Sequence, residues 1–246
     1  VVESVHRFAE EVMRPIGTQL DTMSPEDVVA EGSPLWKVFE RYRELGIEEV
    51  RAGSTDLSAE RQARLGCMIG ETLGWGDAGL AISIGVSTFP RLMAEMTGNA
   101  ELIERFSDPA GIGCWPITEP DHGSDLIYFG GDVSQMPGRP NCMAVRDGDH
   151  FVITGQKAAW VSNGTIATAG ALFCGVDMGD GQVQGLAAFL VPLDLDGVRR
   201  GKPLDKLGQR ALNQGEIFFD EVRVPASYMV VPPEMSAISQ DMVLAT

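Results

Sequence analysis

The feature that most limits what this chain can fold into is a change of texture near residue 111. Before it, apolar residues recur at helical spacing. After it, short alternating or continuous apolar runs are separated by Gly, Asp, Asn and Pro. Helix-period and strand-period patterns each need a packing partner, so the chain must join a helical part to a sheet part.

In the helical part, "SPED" (24–27) puts Ser24 at an N-cap, Pro25 at the first helical position and an acid, Asp27, three residues after the cap. Leu35, Val38, Phe39, Tyr42 and Leu45 then keep helical spacing until Gly46. A second helix is expected from Ser58, with Leu65, Met68, Ile69 and Leu73 as its apolar stripe. A small apolar segment covers 79–96, and an amphipathic one covers 99–108 before Pro109 and Gly111 break the pattern. The strand-like runs are 113–118, 142–147, 150–155, 158–163, 169–176, 185–192 and 215–225, with "RDGDH" (146–150) as a hairpin turn. This spacing predicts a small antiparallel barrel or sandwich. After residue 228 the texture turns helical again. The expected class is therefore α+β: an N-terminal helical domain over 1–111, a small antiparallel β-barrel domain over 112–228, and the start of a C-terminal helical domain, truncated or separate, over 229–246.

Several function classes are disfavoured. The formal net charge is −16 and the basic residues are scattered, so nucleic acid is not an expected partner. No apolar run has the length of a membrane span, and the acidic, helically spaced start is not a signal peptide. Cys67, Cys114, Cys142 and Cys174 form no C-x-x-C pair, which predicts buried free thiols in a reducing, cytoplasmic setting and no metal site. Both ends read as cut from a longer polypeptide. "GWGDAG" (74–79) matches a dinucleotide fingerprint, but the residues before it have helical spacing, so it is expected to link two helices. Of His6, His122 and His150, only His122 could serve a nucleophilic triad. Asp121 and Asp125 could be an acid–base pair or simply part of a hydrogen-bonded turn.

Two stretches stand out, "ITEPDHGSD" (117–125) and "GQKAAWVSNG" (155–164). Alternation puts Trp115 and Ile117 on one strand face and Trp160 and Ser162 on another. A planar aromatic cofactor would need such a flat wall with a few hydroxyl donors. Core tryptophans beside a hydrogen-bonded turn would need the same residues.

The two stretches resemble the paired signatures of the acyl-CoA dehydrogenases, T-E-P-x-x-G-S-D and G-x-K-x-W-I-[ST]-N-G. A third segment, "DKLGQRALNQGEIFFDEVRVPASYMV" (205–230), resembles the run that closes that family's middle domain. The resemblance covers nearly the whole chain and implies helical and β-barrel domains around FAD. It implies a flavin site lined by Trp115, Ile117, Thr118, Gly123, Ser124, Trp160, Val161 and Ser162, with Ser124 also against the acyl-CoA. The implied reaction removes an α proton and a β hydride from an acyl thioester, giving the trans-enoyl-CoA, with electron-transferring flavoprotein as acceptor. It also implies that the glutamate base, much of the CoA pocket and the oligomer contacts belong to a C-terminal helical domain, so no catalytic residue is assigned here. That domain would come from the same polypeptide or from a second subunit; otherwise the chain acts as a homo-oligomer. Two other readings stay open: a flavin-dependent monooxygenase or oxidase, and a non-catalytic subunit of a heteromeric dehydrogenase. The sequence departs from the family pattern by one extra residue between Lys157 and Trp160, where a bulge is expected, and by a long 126–141 segment.

Overall fold

The computed structural model describes residues 1–47, 57–123 and 139–233. It contains two compact units, Val1–Gly85 with Pro203–Asn213, and Val86–Lys202 with residues from Gln214 onward. The sequence division at 111 and 228 follows texture, whereas these units follow packing.

The first unit is helical. Val2–Phe8 continues through a π-helical turn, Ala9–Met13, into Arg14–Asp21. Val5, Phe8, Ala9, Met13, Ile16 and Leu20 are buried, a stripe at helical spacing. Ser24 caps Pro25–Val29 by accepting from Asp27 N at 3.2 Å, and its hydroxyl donates back to the Asp27 carboxylate at 2.7 Å. Leu35, Val38, Phe39 and Tyr42 form the buried face of Pro34–Glu44. In Ala59–Gly76, Ile69 and Leu73 are buried, but Met68 is 42% exposed, so the expected stripe is narrower than its sequence pattern. The "GWGDAG" segment ends this helix, and Asp77 accepts from Leu80 N at 2.8 Å as the next helix, Ala78–Ser87, begins. The 203–213 segment joins this unit through Arg210, which donates to Asp21 O at 2.9 Å and Met23 O at 3.0 Å.

Among its described residues, the second unit is a sheet with two helices packed on it. Its strands are β1 (Gly113–Cys114), β2 (Met143–Asp147), β3 (His150–Lys157), β4 (Ala169–Asp177), β5 (Gly185–Pro192), β6 (Val198–Arg200), β7 (Ile217–Pro225) and β8 (Met229–Val231). They lie in the order β6-β7-β3-β2-β4-β5-β8, with β1 also paired to β4. The expected small antiparallel barrel is corrected here: among the described residues the sheet is open and mixed, because β1 and β2 both pair with β4 in parallel. They occupy one edge of β4 in succession, at Ala169–Gly170 and then Gly175–Asp177. Between them the chain leaves the sheet and returns in the same direction. Short strands and turn residues do not reveal that arrangement.

β4 and β5 are buried along almost their whole length, as their continuous apolar runs require. One face carries Cys142, Phe151, Leu172, Cys174, Phe189 and neighbours. The other packs Phe173, Leu186 and Leu190 against Met93 and Leu102 from helices Phe89–Thr97 and Ala100–Phe106. Gly148, at a φ of 63°, turns the hairpin between β2 and β3. Residues 158–163, expected as a strand, form a turn with an isolated bridge, Ser162 to Gln214. The helix expected from 229 is not seen at Met229–Val231, which form β8; 234–246 lie outside the described residues. No helix among the described residues is long and apolar enough to cross a membrane.

Candidate functional site

The site is built where the chain leaves β1 and where it leaves β3. Phe173 N donates to Pro116 O at 3.1 Å, so the backbone follows β4 for two residues past β1. Trp115 is half-buried, with its ring centroid 4.4 Å from Phe89 and 6.1 Å from Phe173. Ile117 is buried in the same cluster. Beyond it, Glu119 and His122 close a tight turn in which Glu119 N donates to His122 O at 2.8 Å.

Lys157 ends β3 with a fully buried side chain. Its ammonium donates to Ile117 O at 2.8 Å and to Glu119 Oε1 at 2.7 Å. Glu119 is itself buried; the same oxygen accepts from Cys142 N at 3.3 Å and Oε2 accepts from Asn141 N. Ala158 N donates to Thr118 O at 2.9 Å. These bonds join the two stretches that the sequence singles out. Gly155 makes the join possible: its φ is 140°, at a register shift between β3 and β7, and a Cβ there would collide with Asn141 O. The bulge lies in β7, where Asp220 and Glu221 oppose the single residue Thr154, and not in the extra residue after Lys157.

The turn after Lys157 presents Trp160 at the surface, 54% exposed, with Val161 buried beside it and Ser162 half-buried. Gln214 fastens this turn by donating to Trp160 O at 2.9 Å and Ser162 Oγ at 3.4 Å. Asn163 is buried with a φ of 61°; its amide donates to Ser87 Oγ at 3.1 Å and Gly113 O at 3.0 Å. Trp160 and Ser162 are thus placed by a pinned turn and not by strand alternation. Gly123 has open space where a Cβ would stand, and Ser124 lies outside the described residues.

Of the acid–base candidates, Asp121 accepts from Asn141 Nδ2 at 2.7 Å while its backbone N–H donates to Asn141 Oδ1 at 3.0 Å. That is turn chemistry; Asp125 lies outside the described residues. His122 is buried with Nε2 3.1 Å from Arg139 O. Burial pushes the Cys114 thiol well up, against a smaller opposing effect of Arg200. Burial also raises Cys174, and its hydrogen bond with Cys142 adds to this, so neither thiol is poised as a nucleophile. Among the described residues no group of three or more His, Cys, Asp or Glu side chains could hold a metal. A groove of ≈ 530 Å³ bounded by Asp121, Gln156, Arg199 and Phe218 lies beside the turn but includes none of the eight predicted residues. Lys157, Glu119 and Asn163 are absent from the set derived from the sequence. For Lys157 a signal existed: with Phe151 and Ile153 inward, alternation along β3 carries position 157 inward too.

Residues 114–222 match the family model described as the acyl-CoA dehydrogenase middle domain. The chain is 28% identical over 243 residues to the short-chain specific acyl-CoA dehydrogenase of Clostridium acetobutylicum, covering 94% of this chain and 56% of that one. Over residues 114–222 the chain is thus similar to the middle domain of the acyl-CoA dehydrogenases. The mitochondrial short-chain specific acyl-CoA dehydrogenase of Rattus norvegicus is 34% identical over 133 residues, 54% of this chain and 29% of the relative. The chain thus spans little more than half of the bacterial relative's length. An acyl-CoA dehydrogenase from Bacillus anthracis, solved as a complex with FAD, shares the fold: TM-score 0.75 at 18% identity, over 98% of this chain and 39% of that one. Acyl-CoA dehydrogenases are FAD-dependent, and the residues here fit that cofactor. An exposed indole stands beside a half-buried hydroxyl on a pinned turn, and among the described residues neither the Trp160 indole N–H nor the Thr118 hydroxyl has a hydrogen-bond partner.

Proposed function

We propose that this chain takes part in the FAD-dependent α,β-dehydrogenation of an acyl-CoA thioester to the trans-enoyl-CoA. The observation that carries the reading is the joining of two family signatures by Lys157 and Ala158, with Trp160 left facing outward. FAD, when bound, supplies the hydride acceptor. Thr118 and Ser162 offer hydroxyl donors toward the ring heteroatoms, where negative charge grows on reduction. Trp160 offers a flat apolar face, with Val161 buried beneath the turn. Trp115 and Ile117 back the site through the core, and the family signature assigns Gly123 to FAD and Ser124 to both FAD and the acyl-CoA. The proton is taken by a glutamate from a helical domain of the same polypeptide or of a partner subunit. Electron-transferring flavoprotein is the proposed acceptor.

The test is a visible absorption spectrum of the protein purified with whatever chains accompany it, followed by titration with FAD. Flavin bands are expected. Trp160→Ala should weaken FAD binding about 2- to 10-fold, the equivalent of one lost aromatic contact. Because Trp160 is exposed, melting should hardly change. A protein that stays colourless with FAD, with all its accompanying chains present, would refute the reading.

A further inference from the structure

We propose that Lys157 and Glu119 are positioning residues for the cofactor site, their buried ion pair setting Thr118 in register with the Trp160–Ser162 turn. The inference rests on the flavin reading above and deepens it. The Lys157 ammonium bonds to residues on both sides of Thr118: Ile117 through its carbonyl at 2.8 Å and Glu119 through its carboxylate at 2.7 Å. Thr118 is therefore held between two fixed points. One residue beyond Lys157, Ala158 N closes on Thr118 O at 2.9 Å, so the segment leading to Trp160 is fixed to the same place. The carboxylate extends the tie to the returning chain at Asn141 and Cys142, where β2 begins.

Stability alone is a poor account of this pair. Both side chains are out of water, and desolvating two charges cancels much of their attraction. Well-packed apolar residues would serve the core about as well. What apolar residues lack is direction: they cannot hold a carbonyl and a carboxylate at set angles on either side of one residue. Neither side chain is exposed, so their effect on a bound cofactor passes through Thr118 and the turn.

The test uses the protein purified with its accompanying chains and FAD as the probe. It compares wild type with Lys157→Met, Lys157→Arg and the charge-neutral pair Lys157→Met with Glu119→Gln. The neutral pair keeps the test usable if the single Lys157→Met variant, left with an unpaired buried carboxylate, fails to fold. Three readouts are taken: amide hydrogen exchange at Ala158, and the visible circular dichroism and the reduction potential of bound FAD. In the neutral pair, Ala158 exchange should accelerate at least about tenfold while β4 and β5 amides stay protected. FAD dichroism and potential should shift from wild type, and Lys157→Arg, which keeps a charged donor, should restore part of both. Wild-type dichroism and potential in the neutral pair would overturn the inference, whether or not Ala158 exchange changes. A wild-type protein that binds no FAD would instead sink the functional reading itself, and this inference with it.

Discussion

Asn163 offers the sharpest stability test. Its buried side-chain amide makes two donor bonds, to Ser87 Oγ and Gly113 O, while its backbone carbonyl accepts from Ile166 N at 3.0 Å and Ala167 N at 2.8 Å. Its φ of 61° is left-handed, a conformation that Asn tolerates and Ala does not. Asn163→Ala removes two neutral hydrogen bonds, about 1 kcal/mol each, and adds about 1–2 kcal/mol of backbone strain, giving roughly 3–4 kcal/mol. Asn163→Gly removes the same bonds without the strain but adds about 0.4–1 kcal/mol of unfolded-chain entropy, giving roughly 2.5–3 kcal/mol. With a urea slope of about 2 kcal/mol/M, the midpoints should fall by roughly 1.5–2 M and 1.2–1.5 M. Urea unfolding followed by tryptophan emission tests this, since Trp115 and Trp160 report on the sheet unit. A loss under about 1 kcal/mol for Asn163→Ala would refute the argument that this amide fastens the turn. A glycine variant clearly weaker than the alanine variant would refute the strain argument.

Other expectations follow from burial and charge. A thiol reagent should label Cys67 alone in the folded protein and all four cysteines after denaturation; labelling of folded Cys114, Cys142 or Cys174 at pH 9 would contradict their burial. The Asp149 carboxyl is held below its usual 3.8, first by the His150 hydrogen bond. The stability it contributes is present above pH 3.8 and is lost as pH falls through the lower folded value. His150→Ala should move the Asp149 NMR titration back toward 3.8. Burial, then Arg210, lowers Lys206 to about 8. Folding therefore opposes its protonation most below pH 8, and wild type should gain melting temperature relative to Lys206→Met as pH rises from 8 toward 10.5. A difference that stays flat across that window would contradict the shift.

What the sequence made legible was local. Ser24 reads as a cap because its hydroxyl competes for backbone N–H groups three residues away, and it does cap. Phe39 and Tyr42 read as core because one helix face decides their burial. The parallel pairings of β1 and β2 along β4 were not legible, since they join segments whose sequence separation has no periodic signature. β6 and β8, three residues each, are too short to show alternation. At the site, the two stretches were recognisable, but their join was not. Lys157 and Glu119 are 38 positions apart, and only the folded backbone brings the ammonium to the carboxylate. Trp160 and Ser162 were placed by the wrong mechanism, because the left-handed Asn163 and the Gln214 bonds override strand propensity there.

The shared edge of β4 has a consequence for how such a protein can diversify. β1 and β2 are each registered independently against the same strand, at its two ends. Residues can therefore be gained or lost between them without shifting the pairing of either. Doubling such a connection costs only about 0.6 kcal/mol in closure entropy. The frame of the site would then stay fixed while the connection between β1 and β2 lengthened over generations.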